Sequence, residues 1–219
     1  MSTERAGLSM AGRAGAALLG LALLGRAAPT AAQRLELHVE PRLGAFVPAG
    51  RLVREHDGLI RFRAELAPSL AVGLGLELDA PRLRLGVRAG VDYATASTLV
   101  AHGFTLDSVG VGLVAAAADV VLRPFDRRAP VRPYVAAGAG LKRYIVSETD
   151  LTRALAGVLP GDRTDPALHA AAGAEARWGP LGLAAEASDY VSRFTAPSTG
   201  HRRLQNDIFL TVGLRLQLF

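Results

Sequence analysis

Apolar and polar residues alternate with a period of two along most of the chain beyond residue 33. In the segment 35–47, Leu37 and Val39 have one parity. The charged residues Glu36 and Glu40 have the other. Successive side chains of a β-strand point to opposite faces, whereas a helix would distribute these charges around its axis. The segment is therefore predicted to be a strand with one apolar face and one charged face.

The same alternation recurs at intervals to the end of the chain. It is regular in five later segments and weaker in two more, namely 70–78, 83–93, 135–142, 168–177, 208–218, 107–123 and 181–193. We therefore predict about eight strands. The segment 59–66 leaves the strand count open, because it either extends the second strand or forms a strand of its own, which would give nine or ten.

Short and long connections alternate between the predicted strands. The segments 79–81 (DAP) and 178–180 (WGP) are typical of tight turns. Longer polar connections occupy 48–58, 95–105, 146–166 and 195–205. Barrels of the bacterial outer membrane have this asymmetry, and closure leaves no backbone edge facing lipid. The fold is thus predicted to be all-β, a closed antiparallel up-and-down transmembrane β-barrel of about eight strands.

The first 32 residues have the order of a secretory signal peptide. A polar start with two arginines is followed by the apolar run 14–24 and by small residues at 30–32. The longest apolar run is too short to cross about 30 Å of hydrocarbon as a helix. We expect cleavage near Ala32, which leaves residues 33–219 as a single barrel domain.

The composition of the chain argues against several classes of function. The formal net charge is +5, but the arginines are scattered singly among acidic residues, so no basic patch for nucleic acid is predicted. The chain has no Cys, which excludes disulfides, thiolate catalysis and Cys-based zinc sites. No motif predicts a cofactor or a metal site.

The charged parity of the predicted strands defines a candidate interior site. Twelve side chains of both signs are predicted to line the lumen: Glu36, Glu40, Arg42, Glu77, Arg84, Arg88, Asp92, Lys142, Glu175, Arg177, Glu186 and Arg215. Eight strands enclose a space that side chains fill, and buried charges there need partners. We interpret the set as an ion-pair network that plugs the barrel. The alternative is a narrow polar path or a pH-sensitive gate. His38 and His169 share this face, either as network members or as a metal-binding or titrating pair.

Aromatic residues lie near the predicted strand ends. Rings with one wet and one apolar side are favoured at membrane interfaces. We therefore predict two girdles. The outer girdle contains Phe46, Tyr93, Tyr144, Tyr190 and Phe209, and the periplasmic girdle contains Phe125, Tyr134, Trp178 and Phe219.

With these features the chain resembles the superfamily of small outer-membrane β-barrels, the OmpA-type and OmpW-type proteins. The resemblance rests on the signal peptide, the segments 41–48 (PRLGAFVP) and 133–140 (PYVAAGAG), and the final strand ending at Phe219. It covers the whole mature chain with motifs of low specificity. It implies a porin-like barrel in the outer membrane of a Gram-negative cell envelope. The partners it implies are membrane lipid and, through the terminal aromatic, the barrel assembly machinery.

For function, the sequence favours a structural or cell-surface role without catalysis and indicates no particular ligand. One alternative, which the OmpW-type resemblance implies, is a passive conduit for small hydrophobic molecules. Another is a lipid-modifying enzyme. A deacylase of this kind needs a Ser two residues after a strand His. Val39-Glu40 follows His38 and Ala170-Ala171 follows His169, so we expect no enzyme.

Overall fold

The computed structural model describes most of the chain beyond the predicted signal peptide. The described residues are 35–49, 53–57, 60–80, 82–101, 104–125, 129–146, 164–195 and 202–219. The signal peptide predicted for residues 1–32 and most of the longest predicted loop, 146–166, lie outside them. Within the described part, no helix is long and apolar enough to span a membrane.

Ten β-strands account for nearly all of the described residues. They are β1 (Glu36–Pro48), β2 (Val53–Asp57), β3 (Ile60–Leu66), β4 (Ser69–Ala80), β5 (Leu85–Ala101), β6 (Phe104–Leu122), β7 (Val131–Val146), β8 (Thr164–Trp178), β9 (Leu181–Thr195) and β10 (Arg202–Gln217). Eight of them, β1 and β4 to β10, pair in antiparallel fashion around a circle that closes between β1 and β10. The predicted closed eight-stranded barrel is confirmed.

The hairpin of β2 and β3 resolves the open strand count. Both β3 and β4 pair with β5, and Leu66 of β3 lies opposite Leu99. Only Ala67 and Pro68 separate the two strands. Proline has no N–H to donate to a ladder, which interrupts the pairing at this point. The strand β3, which is the described part of this segment, is therefore an outward extension of the second barrel strand and does not add a ninth strand to the wall.

The alternation of the sequence separates the outside of the barrel from its inside. On β4, Leu70, Leu74 and Leu76 are each about half exposed, whereas Ala71 and Glu77 on the other parity are buried. A water-soluble barrel would bury its leucines and expose its glutamates. The reverse arrangement suits lipid outside and polar side chains within.

Candidate functional site

The interior of the barrel contains most of the charged side chains that the sequence points to. Eleven of the twelve predicted lumen charges face inward: Glu36, Glu40, Arg42, Glu77, Arg88, Asp92, Lys142, Glu175, Arg177, Glu186 and Arg215. All are buried except Arg177, which is partly exposed. The strands therefore bring together in space charges that are far apart in sequence.

Glu175 on β8 is the centre of a first cluster. Arg132 donates a hydrogen bond to its Oε1, and Arg123 Nε donates another at 3.3 Å. Arg215 Nε lies 3.3 Å from Oε2, and Arg177 Nε lies 3.6 Å from Oε1. A single buried carboxylate thus has four guanidinium groups around it.

Glu77 on β4 extends this cluster across the lumen and offsets part of its positive charge. Arg215 donates to both of its carboxylate oxygens, at 3.0 and 2.7 Å. Arg123 Nη2 is 2.6 Å from Glu77 Oε1. The paired geometry of guanidinium and carboxylate is the strongest form of such a contact.

Glu186 on β9 is the centre of a second cluster. Arg42 donates to its Oε1 at 3.2 Å, while Arg88 and the Tyr134 hydroxyl, the latter at 2.9 Å, donate to its Oε2. Arg88 also donates from Nε and Nη2 to Asp119 on β6, at 3.3 and 3.2 Å. The cluster therefore connects opposite walls of the barrel.

A third cluster lies beyond the second one along the strands. The single lysine of the chain, Lys142, donates to Asp207 on β10, and the Tyr144 hydroxyl donates to the same carboxylate at 2.6 Å. Both charged groups are almost fully buried. The ion pairs thus recur at several levels of the lumen.

Inward-facing glycines make room for contacts between side chains of the two strands on either side of the glycine's own strand. Gly138 on β7 lies between Asp119 and His169 in register, and His169 Nδ1 is 2.8 Å from Asp119 Oδ1. A side chain at Gly138 would occupy the space that this bond crosses. The same arrangement occurs at Arg42–Gly73–Asp92 and at Tyr134–Gly173–Glu186.

Several charged members of the interior were not singled out from the sequence. They are Asp79, Asp119, Arg123, Arg132 and Asp207, all of them buried. The alternation of the sequence could have indicated some of them. Arg132 has the same parity as Lys142 on β7, and Asp207 has the same parity as Arg215 on β10. Asp119 was obscured because β6 is apolar on both parities.

Arg84 was predicted to line the lumen, and for this residue the prediction is wrong. It lies in the turn before β5, has a positive φ of 57°, and is exposed. Its guanidinium donates to the carbonyl oxygen of Pro124 in the neighbouring turn, at 2.9 Å. The regular alternation of inward and outward side chains begins at Leu85, because the residues of the preceding turn do not have strand geometry.

The predicted aromatic girdles are wrong for five of nine residues. Phe46, Tyr134, Tyr144, Tyr190 and Phe209 point inward and are at most 3% exposed. Tyr93, Phe125, Trp178 and Phe219 are exposed, as a girdle requires. Position near a strand end was the basis of the prediction, but parity decides which face a ring takes, and these five share the parity of the lumen charges.

Four of the five inward rings, those of Phe46, Tyr144, Tyr190 and Phe209, belong to an apolar cluster in the outer part of the lumen, whereas Tyr134 belongs to a separate cluster. The rings of Phe46 and Phe209 are 5.3 Å apart, and Tyr190 packs edge-on against Phe209 at 5.7 Å. Leu113 and Val111 are buried in the same cluster. The outer part of the lumen therefore combines rings and aliphatic groups with the Lys142–Asp207 pair, whereas the periplasmic part is dominated by ion pairs.

The two strand histidines have separate partners. His38 Nε2 lies 3.6 Å from Glu36 Oε2 and accepts a hydrogen bond from Arg177 Nη2 at 3.1 Å. His169 bonds to Asp119 and stacks on Tyr190, with ring centroids 4.3 Å apart. The structure does not join them as a pair, and each belongs to its own part of the network.

The fold is similar to that of several solved structures. No protein-family model and no curated protein sequence matches the chain. Neisserial surface protein A is similar in structure, with a TM-score of 0.53 and 14% identity over 84% of this chain and 97% of that one. The outer membrane protein OprG from Pseudomonas aeruginosa gives a TM-score of 0.58 and 11% identity over 83% and 95%. AlkL, solved in lipid bilayers, gives 0.51 and 14% over 88% and 94%.

The chain has the fold of the small outer-membrane β-barrels. Together with the apolar outer face, this places the protein in the outer membrane, in contact with lipid. Three of the four exposed aromatic residues, Phe125, Trp178 and Phe219, lie at or just beyond strand ends, the position that a membrane interface favours for such rings, whereas Tyr93 lies in the middle of β5. The contacts inside the barrel, rather than its fold, are therefore the basis for proposing a role.

Proposed function

We propose that this outer-membrane barrel has a structural or cell-surface role and that its lumen is closed to ions and polar solutes. The observation that supports this is the continuity of the ion pairs. Arg42 bonds to Glu186 and lies 3.2 Å from Asp92, and the Glu175 cluster blocks the periplasmic side. The network leaves few of its charges available to a passing ion.

The energetics of burial favour a closed lumen. Removing one member of a buried ion pair costs about 3–5 kcal/mol, because it leaves the partner charge without compensation. An ion that crossed the barrel would have to separate several such pairs in succession. The network therefore acts as a plug that also holds opposite walls of the barrel together.

The closed lumen predicts little or no ion conductance. In planar bilayers, the purified barrel should show no steady channels, whereas Glu175→Ala combined with Glu186→Ala should conduct, because it removes the carboxylate at the centre of each of the two larger clusters. Arg193→Ala, at an exposed position of β9, serves as the matched control and should stay silent. Steady wild-type channels as large as those of the double variant would rule out the closed barrel.

A passive conduit for small hydrophobic molecules is the second candidate. Two observations favour it: the apolar cluster in the outer part of the lumen and an irregularity in the adjacent wall. Between β5 and β6, Ala94 pairs with Leu113, but the next pair is Ser97 with Val111. This register shift follows Ala94, the residue after the exposed Tyr93 on β5. An apolar solute would enter the cluster from outside and leave sideways into lipid, without passing the plug.

The conduit predicts faster uptake of an apolar solute by cells. Cells that produce the barrel should take up an apolar fluorescent dye faster than cells without it. Leu113→Gln, which adds a polar group to the buried cluster, should remove this gain. Leu83→Gln, at an exposed turn position, should retain it. Equal uptake with and without the barrel would eliminate the conduit and leave the structural role.

We also propose that the barrel is not a lipid-modifying enzyme and that the assembly machinery inserts it. Supporting the first point, His38 and His169 face the interior and not the lipid on which such an enzyme acts. Supporting the second, the exposed aromatic residue Phe219 follows the last barrel strand, and its main-chain oxygen accepts a hydrogen bond from the Leu37 N–H at 3.1 Å, which extends the pairing of β1 with β10.

A further inference from the structure

Three potential metal ligands lie together at the periplasmic end of the interior. Glu36 and His38 are on β1, and Asp79 lies directly opposite Glu36 on β4. One ligand atom from each residue lies within 4.8 Å of the others, and all three residues are buried. His38 Nε2 is 3.6 Å from Glu36 Oε2. The pairing of two adjacent strands therefore brings an imidazole and two carboxylates into one group.

Of the three residues, Asp79 is the one whose carboxylate receives the weakest contacts from the ion-pair network. Its side chain is almost fully buried, at 1% exposure, yet neither carboxylate oxygen accepts a hydrogen bond. The nearest cationic nitrogens are Arg123 Nη1 at 3.6 Å and Arg177 Nη2 at 3.9 Å. His38 Nδ1 is also buried without a hydrogen-bond partner. Buried polar atoms in this condition are uncommon and indicate a further partner.

The guanidinium of Arg177 lies among the same three side chains. Its Nη1 is 3.4 Å from Glu36 Oε2, and its Nη2 is 3.1 Å from His38 Nε2 and 3.9 Å from Asp79 Oδ2. The side chain of Arg177 is 17% exposed, more than that of any of its three partners. It can therefore move toward water without unfolding a strand, and another cation can take its place.

We propose that Glu36, His38 and Asp79 form a binding site for a divalent transition cation of the Zn²⁺ class, which replaces the guanidinium of Arg177. Zn²⁺ binds imidazole nitrogen and carboxylate oxygen at about 2.0–2.2 Å, which puts ligand atoms about 3.4 Å apart in a tetrahedron. The His38–Glu36 separation already approaches this length, and Asp79 needs to move by about an ångström. Mg²⁺ and Ca²⁺ prefer oxygen ligands only, so the imidazole selects against them.

The test is metal binding by the purified, untagged barrel in detergent. The other histidines of the chain supply a background, so His56, His102 and His201 are first replaced with Gln. Zn²⁺ titration calorimetry and Co²⁺ absorption spectra should then show one site. His38→Gln and Asp79→Asn should each weaken binding about tenfold or more. Arg177→Gln should strengthen binding, since it removes the competing cation.

Two controls make the result decisive. His169→Gln removes the other interior histidine and should leave Zn²⁺ affinity unchanged. A mobility shift on boiling shows which variants are folded, and a gain of affinity in Arg177→Gln cannot come from a folding defect. The proposal is wrong if His38→Gln and His169→Gln have equal effects, if Arg177→Gln binds no more tightly than its parent, or if the parent binds no Zn²⁺. The proposed closed lumen is tested separately by conductance and does not depend on this outcome.

Discussion

Replacing Arg215 with alanine is expected to lower the free energy of unfolding of the barrel by about 3–5 kcal/mol. Arg215 on β10 donates two hydrogen bonds to Glu77, lies 3.3 Å from Glu175, and is 2% exposed. Its removal leaves Glu77 with Arg123 as its one remaining close cation among the described residues. The cavity that replaces the long side chain adds to the cost.

Urea unfolding from lipid vesicles measures this change. The single tryptophan, Trp178, is exposed at the end of β8 and reports the transition by its fluorescence. Arg193→Ala is the matched control because it makes the same change at an exposed position, and its effect should stay within about 0.5 kcal/mol. If both variants unfold at the same urea concentration, the interior ion pairs do not stabilise the barrel.

Replacing Gly138 with alanine is expected to cost about 3 kcal/mol, because a single methyl group has no room there. An ideal Cβ at this position would lie 1.9 Å from the carbonyl oxygen of Ala118 and 2.6 Å from Asp119 Oδ1. The backbones of β6 and β7 would have to separate, and the bond between Asp119 and His169 would be displaced with them.

Gly75→Ala is the matched control for this steric effect. Gly75, like Gly138, is an inward-facing glycine of a barrel strand, but a Cβ there would make ordinary contacts, the nearest at 3.7 Å from Glu40. Its free energy of unfolding should change by less than about 1 kcal/mol. Equal losses in the two variants would show that glycine itself, and not the close approach at Gly138, accounts for the effect.

The sensitivity of both positions follows from how the barrel is built. Lipid surrounds the apolar outer face, so burial of apolar groups between the walls contributes less than it does in a soluble core. Opposite walls are instead connected by side chains such as Arg88, which bonds to Asp119 on one strand and to Glu186 on another. Small residues such as Gly173 let these long side chains meet.

The sequence by itself determined most of the barrel strands and the face that most of their residues take, but it left the strand count open between eight and ten. Alternation with a period of two is a local property, because neighbouring side chains of a strand must point in opposite directions. Glu36 and Leu37 are assigned to opposite faces by this rule alone, and so are Lys142 and Leu141. The same rule also assigns Tyr144 and Phe209 to the interior, and the girdle prediction failed where proximity to a strand end was given more weight.

The tertiary structure alone decided which interior groups meet. Arg42 and Glu186 are 144 residues apart in sequence, and only the closure of the barrel and the register of its strands bring them within 3.2 Å. The group of Glu36, His38 and Asp79 likewise depends on the pairing of β1 with β4. Parity gives each side chain a direction, but distance across the lumen depends on all eight strands at once, so no local pattern in the chain contains it.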